Sequence, residues 1–249
     1  MRAVDRVTRI LQVVCAAAPG GINLSELSHL SGLDKSTTLR ITRALCESEW
    51  LSKSQGDRMF RPGVEAWLSG RSGNDALNRM TRAASRRLAV VAREVDATVY
   101  LAVRSGMDMV IVARADGGAV LRAGLDVGQR QTLAAGALGL AYLSTLEPTE
   151  CATTVAALRP KRKSLTTGED ELPAAIARAR AQGYARSAGS VFYQVRALAF
   201  PVMGPDGRAL GAVSLATDAE RLDAKYIQAV LPLVRQAVND IQYAIVRSN

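Results

Sequence analysis

The sequence predicts an α+β protein in two parts, a small helical part closing on a β-hairpin and a larger part that mixes strands with helices. Three observations carry this. Two short helical patterns over Leu24–Leu45 are separated by a glycine turn, and short extended segments around a second glycine follow them. From Thr98 onward, apolar β-rich runs then alternate with helical stripes.

Leu24, Leu27 and Leu30 recur at helical spacing, with Asn23 or Ser25 available as a cap, and Gly32 can take the positive φ of a turn. Asp34 can cap a second helix with Thr38, Ile41 and Leu45 on its inner face. Ser36, Thr37, Leu39, Arg40 and Arg43 are then left towards the outside. Hydroxyls and arginines on the second helix of such a pair suit the DNA major groove, although an ordinary helical hairpin with a solvated face has the same spacing. Ser36 and Thr37 can meet phosphate or base edges, and Arg40 has the reach and fork to read a guanine. Leu39 reaches a thymine methyl or packs on the first helix. Arg43 reads a base, touches a phosphate or stays solvated.

Ahead of this pair, Val4, Val7, Leu11 and Val14 form the stripe of a first helix stopped by Pro19-Gly20-Gly21. Behind it, Trp50–Lys53 and Arg58–Arg61 flank Ser54–Asp57 as a hairpin. Three helices and a basic hairpin make a winged helix-turn-helix, and Lys53, Arg58 and Arg61 are natural phosphate contacts of the wing. The polar break at Gly70–Asn74 separates a DNA-binding part, 1–69, from the rest. Leu77, Met80, Ala84, Leu88, Val91 and Val95 stripe a linker helix within 70–96, whose arginines are a solvated face or a second DNA contact.

Residues 97–249 read as α/β. TVYLAV and MVIVAR flank Ser105-Gly106 as a hairpin, and a third strand is expected near Val120–Ala123. Helices are expected over Ala134–Thr145, Thr149–Leu158 and Glu169–Gln182. Strands are expected over Val195–Met203 and Arg208–Thr217 around Pro205-Asp206-Gly207. The last helix carries Leu222 to Ile245, with Pro232 expected to kink or interrupt it. In the two late strands, Val195, Ala197, Ala199, Ala212, Ser214 and Ala216 share one face, and Leu198, Phe200, Val213 and Leu215 the other. A face of small residues leaves room for a ligand or admits a closely packed helix.

Composition bounds the function. The net charge of +9 favours a polyanionic partner. No apolar run approaches the roughly 18–20 residues that cross a bilayer, and charges at helical spacing argue against a signal peptide at the N-terminus. Cys15, Cys46 and Cys151 fit neither a disulfide framework nor a zinc pattern, which points to a reducing cytoplasmic setting. No catalytic or metal site and no cofactor is expected. His29 stands alone in the helical part, Cys151 opens a helix far from it, and Gly136–Gly139 lacks phosphate-loop spacing.

The order of these segments resembles the IclR-type bacterial transcriptional regulators over nearly the whole chain. LSELSHLSGLDKSTTLRITRAL is similar to the family's leucine-rich helix, Gly-Leu turn and Lys-Ser-Thr opening of the recognition helix. MFRPGVEAWLSG, VGQRQTLAAGALGLAYLSTL and RAQGYARSAGSVFYQVRALAFPVMGPDGRALGAVSLA resemble the segments that follow in the family. The resemblance implies a winged helix-turn-helix, a linker helix and an effector-binding domain with a GAF-like sheet flanked by helices. It also implies homodimers that can pair into tetramers, double-stranded DNA with a palindromic operator, and a small-molecule effector. Lys35 and Ser25 join the residues expected at DNA. Leu133, Ala135, Gly136, Ser187, Val195, Ala197, Ser214 and Ala216 correspond to effector-lining positions. The chain departs from the family at Ala134, at Ser187–Ser190 and at Gln194 and Ala197, where histidine, acidic residues, and glycine and cysteine are common. Its small, mostly apolar face implies a compact effector, a small aromatic compound or an organic acid. The competing class is a small-molecule enzyme built on the α/β part, and a third is a ligand-independent DNA-binding protein.

Overall fold

The computed structural model describes residues 2–18, 20–53, 56, 58–72, 75–118, 124–162, 171–187 and 194–247. The chain forms two compact units, Met1–Asp75 and Ala76–Asn249. The strand expected near Val120–Ala123 lies outside the described residues.

The first unit holds α1 (Ala3–Ala16), α2 (Leu24–Ser31), α3 (Lys35–Glu47), the antiparallel pair β1 (Leu51–Lys53) and β2 (Phe60–Pro62), and α4 (Val64–Ser72). Its core is Ile10, Val14, Ile22, Leu27, Leu45, Leu51 and Phe60. Ile22 exchanges two backbone hydrogen bonds with Phe60, at 3.0 and 2.8 Å, and so fastens the α1–α2 connection to the hairpin.

Two apolar residues expected inside are outside. Val4 is 73% exposed and Leu30 48% exposed, while Ile10 and Leu27 are fully buried. The cause is common to both. Six residues turn a helix through about 600°, so Val4 stands some 120° away from Ile10, and Leu30 as far from Leu24. On α3, Thr38 and Leu45 are joined inside by Thr42, with Ile41 packed at the flank. The Thr42 hydroxyl donates to Thr38 O at 2.9 Å, so a polar side chain is buried satisfied.

The second unit begins with α5 (Asp75–Val95). It continues through β3 (Thr98–Ser105), β4 (Asp108–Ala115), β5 (Arg130–Thr132), α6 (Gly136–Leu143), α7 (Pro148–Arg162), α8 (Glu171–Gln182), β6 (Ala185–Ser187), β7 (Val195–Met203), β8 (Ala209–Asp218) and α9 (Ala224–Arg247). Among the described residues the sheet is antiparallel throughout, in the order β5-β4-β3-β8-β7-β6. Helices cover both faces. Met80, Ala84, Leu88, Val91 and Val95 of α5 pack with α9 on Leu198, Phe200, Val213 and Leu215. On the other face α6, with Leu158, Leu172 and Ile176, packs on Ala199, Ala212 and Ala216.

The short edge strands β5 and β6 had no counterpart among the expected elements, because three residues are too few to show an alternating pattern. Pro232, expected to kink or interrupt the last helix, does not interrupt it, and α9 is continuous from Ala224 to Arg247. The carbonyl that loses its donor belongs to Gln228, and both Gln228 and Pro232 are exposed, so water can satisfy it.

Helix α6 lies close against the segment that precedes it because a glycine stands at the contact. A Cβ placed on Gly139 would lie 2.1 Å from the carbonyl oxygen of Leu133. Gly139→Ala should therefore force α6 away from the segment that precedes it and destabilise the second unit by about 1–3 kcal/mol, the usual range for overpacking. A thermal unfolding scan checks this, and an unchanged midpoint would contradict so close an approach.

Candidate nucleic-acid interface and ligand face

The turn between α2 and α3 is built by three local devices. The Asn23 side chain accepts Glu26 N–H at 3.0 Å and starts α2. Gly32 ends it with φ 70°, and Leu33 N–H closes on Ser28 O at 3.2 Å. Asp34 then starts α3, accepting Thr37 N–H at 2.8 Å and the Ser36 hydroxyl at 2.6 Å. These two bonds, that from Ser36 above all, hold the Asp34 carboxyl well below the usual carboxylate range.

With Thr38, Thr42 and Leu45 turned inward, α3 presents Lys35, Ser36, Arg40 and Arg43 to solvent, with Thr37 and Leu39 half-buried. Ser36, Leu39, Arg40, Arg43, Ala44 and Glu47 line an open groove of about 420 Å³ along this face. Ala44 and Glu47 were not among the expected residues, although their spacing of four and seven from Arg40 places them on its side of the helix. Ser25, in the first turn of α2, is exposed.

The wing residues differ in their freedom. The ammonium of Lys53 lies 5.4 Å from the centroid of the Phe60 ring. Arg58 is exposed at φ 56°. It lies outside the ladder because β2 begins at Phe60, two residues later than the sequence pattern suggests. Arg61 is half-buried and donates to Gly20 O at 3.0 Å, so its guanidinium also braces the turn after α1.

In the second unit the register brings the expected strand residues together. Ser187, Ala197, Ala216 and Thr98 stand in one row across β6, β7, β8 and β3. Ala185, Ala199, Ser214, Tyr100 and Arg114 form the next row, which reaches β4. Ser187 and Ser214 are 8% and 2% exposed. Val195 and Ala197 pack at the edge of the α6 core, and Leu133 and Ala135 are buried in or beside the α6 N-terminus. Gly136 is buried there too. Ala135 caps α6 without a side-chain hydrogen bond.

Four polar residues of this face are absent from the sequence reading: Thr98, Tyr100, Arg114 and Asp116. For Arg114 and Asp116 a register shift explains the omission. Leu101 pairs with Ala113 but Ala102 with Ile111, so Val112 is extra and the alternation of β4 reverses there. Met109 and Ile111 face α6, and past the bulge Arg114 takes over that face. Arg114 donates to Asp116 at 3.1 Å, to Asp126 at 2.7 Å and to Leu125 O at 3.2 Å, and its guanidinium lies 5.9 Å from the Tyr100 ring centroid. Asp116 also accepts the Thr98 hydroxyl at 2.9 Å.

Among the described residues no group of His, Cys, Asp and Glu could hold a metal. His29 is exposed on α2, and burial pushes the Cys151 thiol up, away from a reactive thiolate. Among the described residues no helix is long and apolar enough to cross a membrane.

Family models match both units of the chain. The model of the IclR helix-turn-helix domain matches residues 3–55, and that of the C-terminal domain of IclR bacterial transcriptional regulators matches residues 76–243. The chain is 28% identical over 248 residues to the probable transcriptional regulator SauR of Cupriavidus necator, covering 96% of this chain and 95% of that one. With the HTH-type transcriptional regulator XynR of Escherichia coli it shares 24% over 225 residues, 90% and 88% of the two chains. An IclR homolog from Microbacterium hydrocarbonoxydans, solved in complex with 4-hydroxybenzoate, has the same fold with a TM-score of 0.77 at 20% identity, covering 99% of each chain.

The Asp34 cap generates a pH prediction. Its carboxyl is depressed in the folded state, so its contribution to α3 is complete above the unfolded carboxylate value, about 3.9. That contribution is lost as the pH falls through this value towards the folded one. Asp34→Asn keeps an acceptor at the cap and should flatten that part of the acid limb of stability. Thermal unfolding between about pH 6 and pH 3 compares the two proteins, and identical acid limbs would deny the cap its charge-dependent role.

Proposed function

The chain belongs to the IclR family of bacterial transcriptional regulators, and from that premise we propose that it binds a roughly palindromic operator as a homodimer and responds to a compact organic effector. In this reading residues 1–69 hold DNA, a helix within 70–96 links the parts, and 97–249 bind the effector and pair protomers, with tetramers formed from dimers. The protein acts in the cytoplasm, where its DNA is, and the reading includes no enzymatic step.

The observation that carries the DNA reading is the outward face of α3. Arg40 and Arg43 are exposed on one stripe with Ser36, while the inward stripe is filled by Thr38, Thr42 and Leu45. Arg40 reads a guanine, and Lys35, Ser36, Thr37, Leu39 and Arg43 position the helix in the groove. Ser25 and the wing residues Lys53, Arg58 and Arg61 meet phosphate, Arg61 with only part of its fork. Val64, Trp67 and Leu68 lie at helical spacing on α4 and are 48%, 57% and 43% exposed, which supports a second copy against this unit.

The effector sits on the small-residue face of the second unit. Ser187, Val195, Ala197, Ser214 and Ala216 line it, and Leu133, Ala135 and Gly136 close it from the start of α6. The N-terminal end of α6, the positive end of its helix dipole, favours a ligand with a partial or full negative charge there. The 4-hydroxybenzoate held by the Microbacterium homolog is of that class. A ligand that prefers one arrangement of the second units shifts the spacing of the paired α3 helices through α5.

Two substitutions test the two halves of this reading. Arg40→Ala should cost about 1–3 kcal/mol of operator binding and relax discrimination at one position per half-site. Titration against single-base operator variants measures it, and an unchanged specificity profile removes the base-reading role. Ser214→Leu should fill the ligand face, leaving operator binding intact and abolishing the response to small aromatic and aliphatic acids. A response that survives the substitution places the effector elsewhere.

A further inference from the structure

We propose that Tyr100 is a direct contact of the effector and the donor that selects it, its phenolic hydrogen going to an acceptor oxygen of the ligand. The inference rests on the ligand face described above and adds a residue that neither the sequence pattern nor the family comparison assigns.

Tyr100 pairs with Ser214 across β3 and β8, so their side chains leave the same face as neighbours. The residue is 4% exposed. Its phenolic oxygen accepts Leu125 N–H at 3.3 Å, which uses a lone pair and leaves the O–H without an acceptor among the described residues. A buried phenol normally finds a partner for that hydrogen. Here the neighbours in its row are alanines, Ser214 and Arg114; a guanidinium cannot accept, and among the described residues no hydrogen bond joins the Tyr100 and Ser214 hydroxyls.

The surroundings hold the ring in place and keep its proton on. The Arg114 guanidinium lies over it, 5.9 Å from its centroid, on the side away from Ser214. Arg114 is fixed in turn by Asp116 and Asp126. Burial pushes the phenol above its ordinary value, so the group stays a donor at neutral pH. All three guanidinium nitrogens of Arg114 are engaged by those carboxylates and Leu125 O. Arg114 is thus a positioning residue for Tyr100 rather than a counter-ion for the ligand.

The chemistry that fits is a compact molecule with an acceptor oxygen, carbonyl or carboxylate, that meets the hydroxyls of the cross-strand neighbours Tyr100 and Ser214, with Ser187 three strands away on β6 left to the far end of the face. The Ser187 hydroxyl, 8% exposed, has no hydrogen-bond partner among the described residues, and that of Ser214 makes only a 3.5 Å contact with Leu215 O. A hydrocarbon of the same size would leave these donors unmet and bind poorly.

Tyr100→Phe keeps the ring, its burial and the Arg114 contact, and removes the hydroxyl alone. Full-length wild type, Tyr100→Phe and Ser214→Leu are titrated calorimetrically with 4-hydroxybenzoate, benzoate and pyruvate, and each is melted without ligand. The expected result is binding of at least one of these acids by the wild type and its loss in Ser214→Leu. In Tyr100→Phe the same acid should bind about ten-fold more weakly, the worth of one hydrogen bond, with the ligand-free melting point unchanged. Wild-type affinity in Tyr100→Phe, with Ser214→Leu still inactive, overturns the assignment of Tyr100 alone. A clearly lower ligand-free melting point in Tyr100→Phe makes the hydroxyl structural and also overturns it. Binding that survives Ser214→Leu, or no binding of any of the three acids by the wild type, removes the ligand-face reading and this assignment with it.

Discussion

Adjacent side chains on a strand cannot share a face, and the second unit is organised by that restriction. In β7 and β8 the large residues fall on one parity and the small ones on the other. The large set, Leu198, Phe200, Val213 and Leu215, meets the long helices α5 and α9 and forms a dense core. The small set meets α6, whose own small residues let backbone come close to backbone. One sheet thereby supplies stability on one side and a face of small residues and hydroxyls on the other. A slip of one residue in the β7–β8 register would exchange the two faces and lose both.

The parts of this architecture that were legible in the sequence are those with a repeating signal or local chemistry. The caps Asn23 and Asp34 and the turn at Gly32 act within three or four residues, so the α2–α3 pair could be read directly. The parity of the late strands was equally open, since each is nine or ten residues long. Val4 and Leu30 misled because leucines and valines at multiples of three look periodic while drifting around the helix. Pro232 leaves its helix uninterrupted for a different reason: the cost of a proline depends on whether the orphaned carbonyl can reach water, which tertiary structure decides.

The candidate ligand face was legible only in half. Ala197, Ser214 and Ala216 could be aligned by counting in twos and Ser187 entered through the family resemblance, but Arg114 and Asp116 could not be placed. The bulge at Val112 reverses the parity of β4 midway, and no feature of MVIVAR marks it. The residues that the bulge re-aims are the charged ones, which hold Tyr100 by its ring and the backbone around Leu125 by its carbonyl. One extra residue in a strand thus moves an ion-paired network from the α5 side of the sheet to the α6 side.

The buried threonines of α3 have a consequence for how operator preference can change over time. Thr38 and Thr42 return their hydroxyl hydrogens to carbonyls one turn earlier in the same helix, at 2.9 Å each, so the inner stripe asks nothing of the outer one. No described bond or ion pair from Arg40 or Arg43 supports the fold of the first unit. Substitutions at those outward positions are surface substitutions, usually worth less than about 0.5 kcal/mol in stability. Duplicated copies of such a gene could therefore diverge in the sequences they recognise while their folds stay intact, and new regulatory connections would arise without a detour through unstable intermediates.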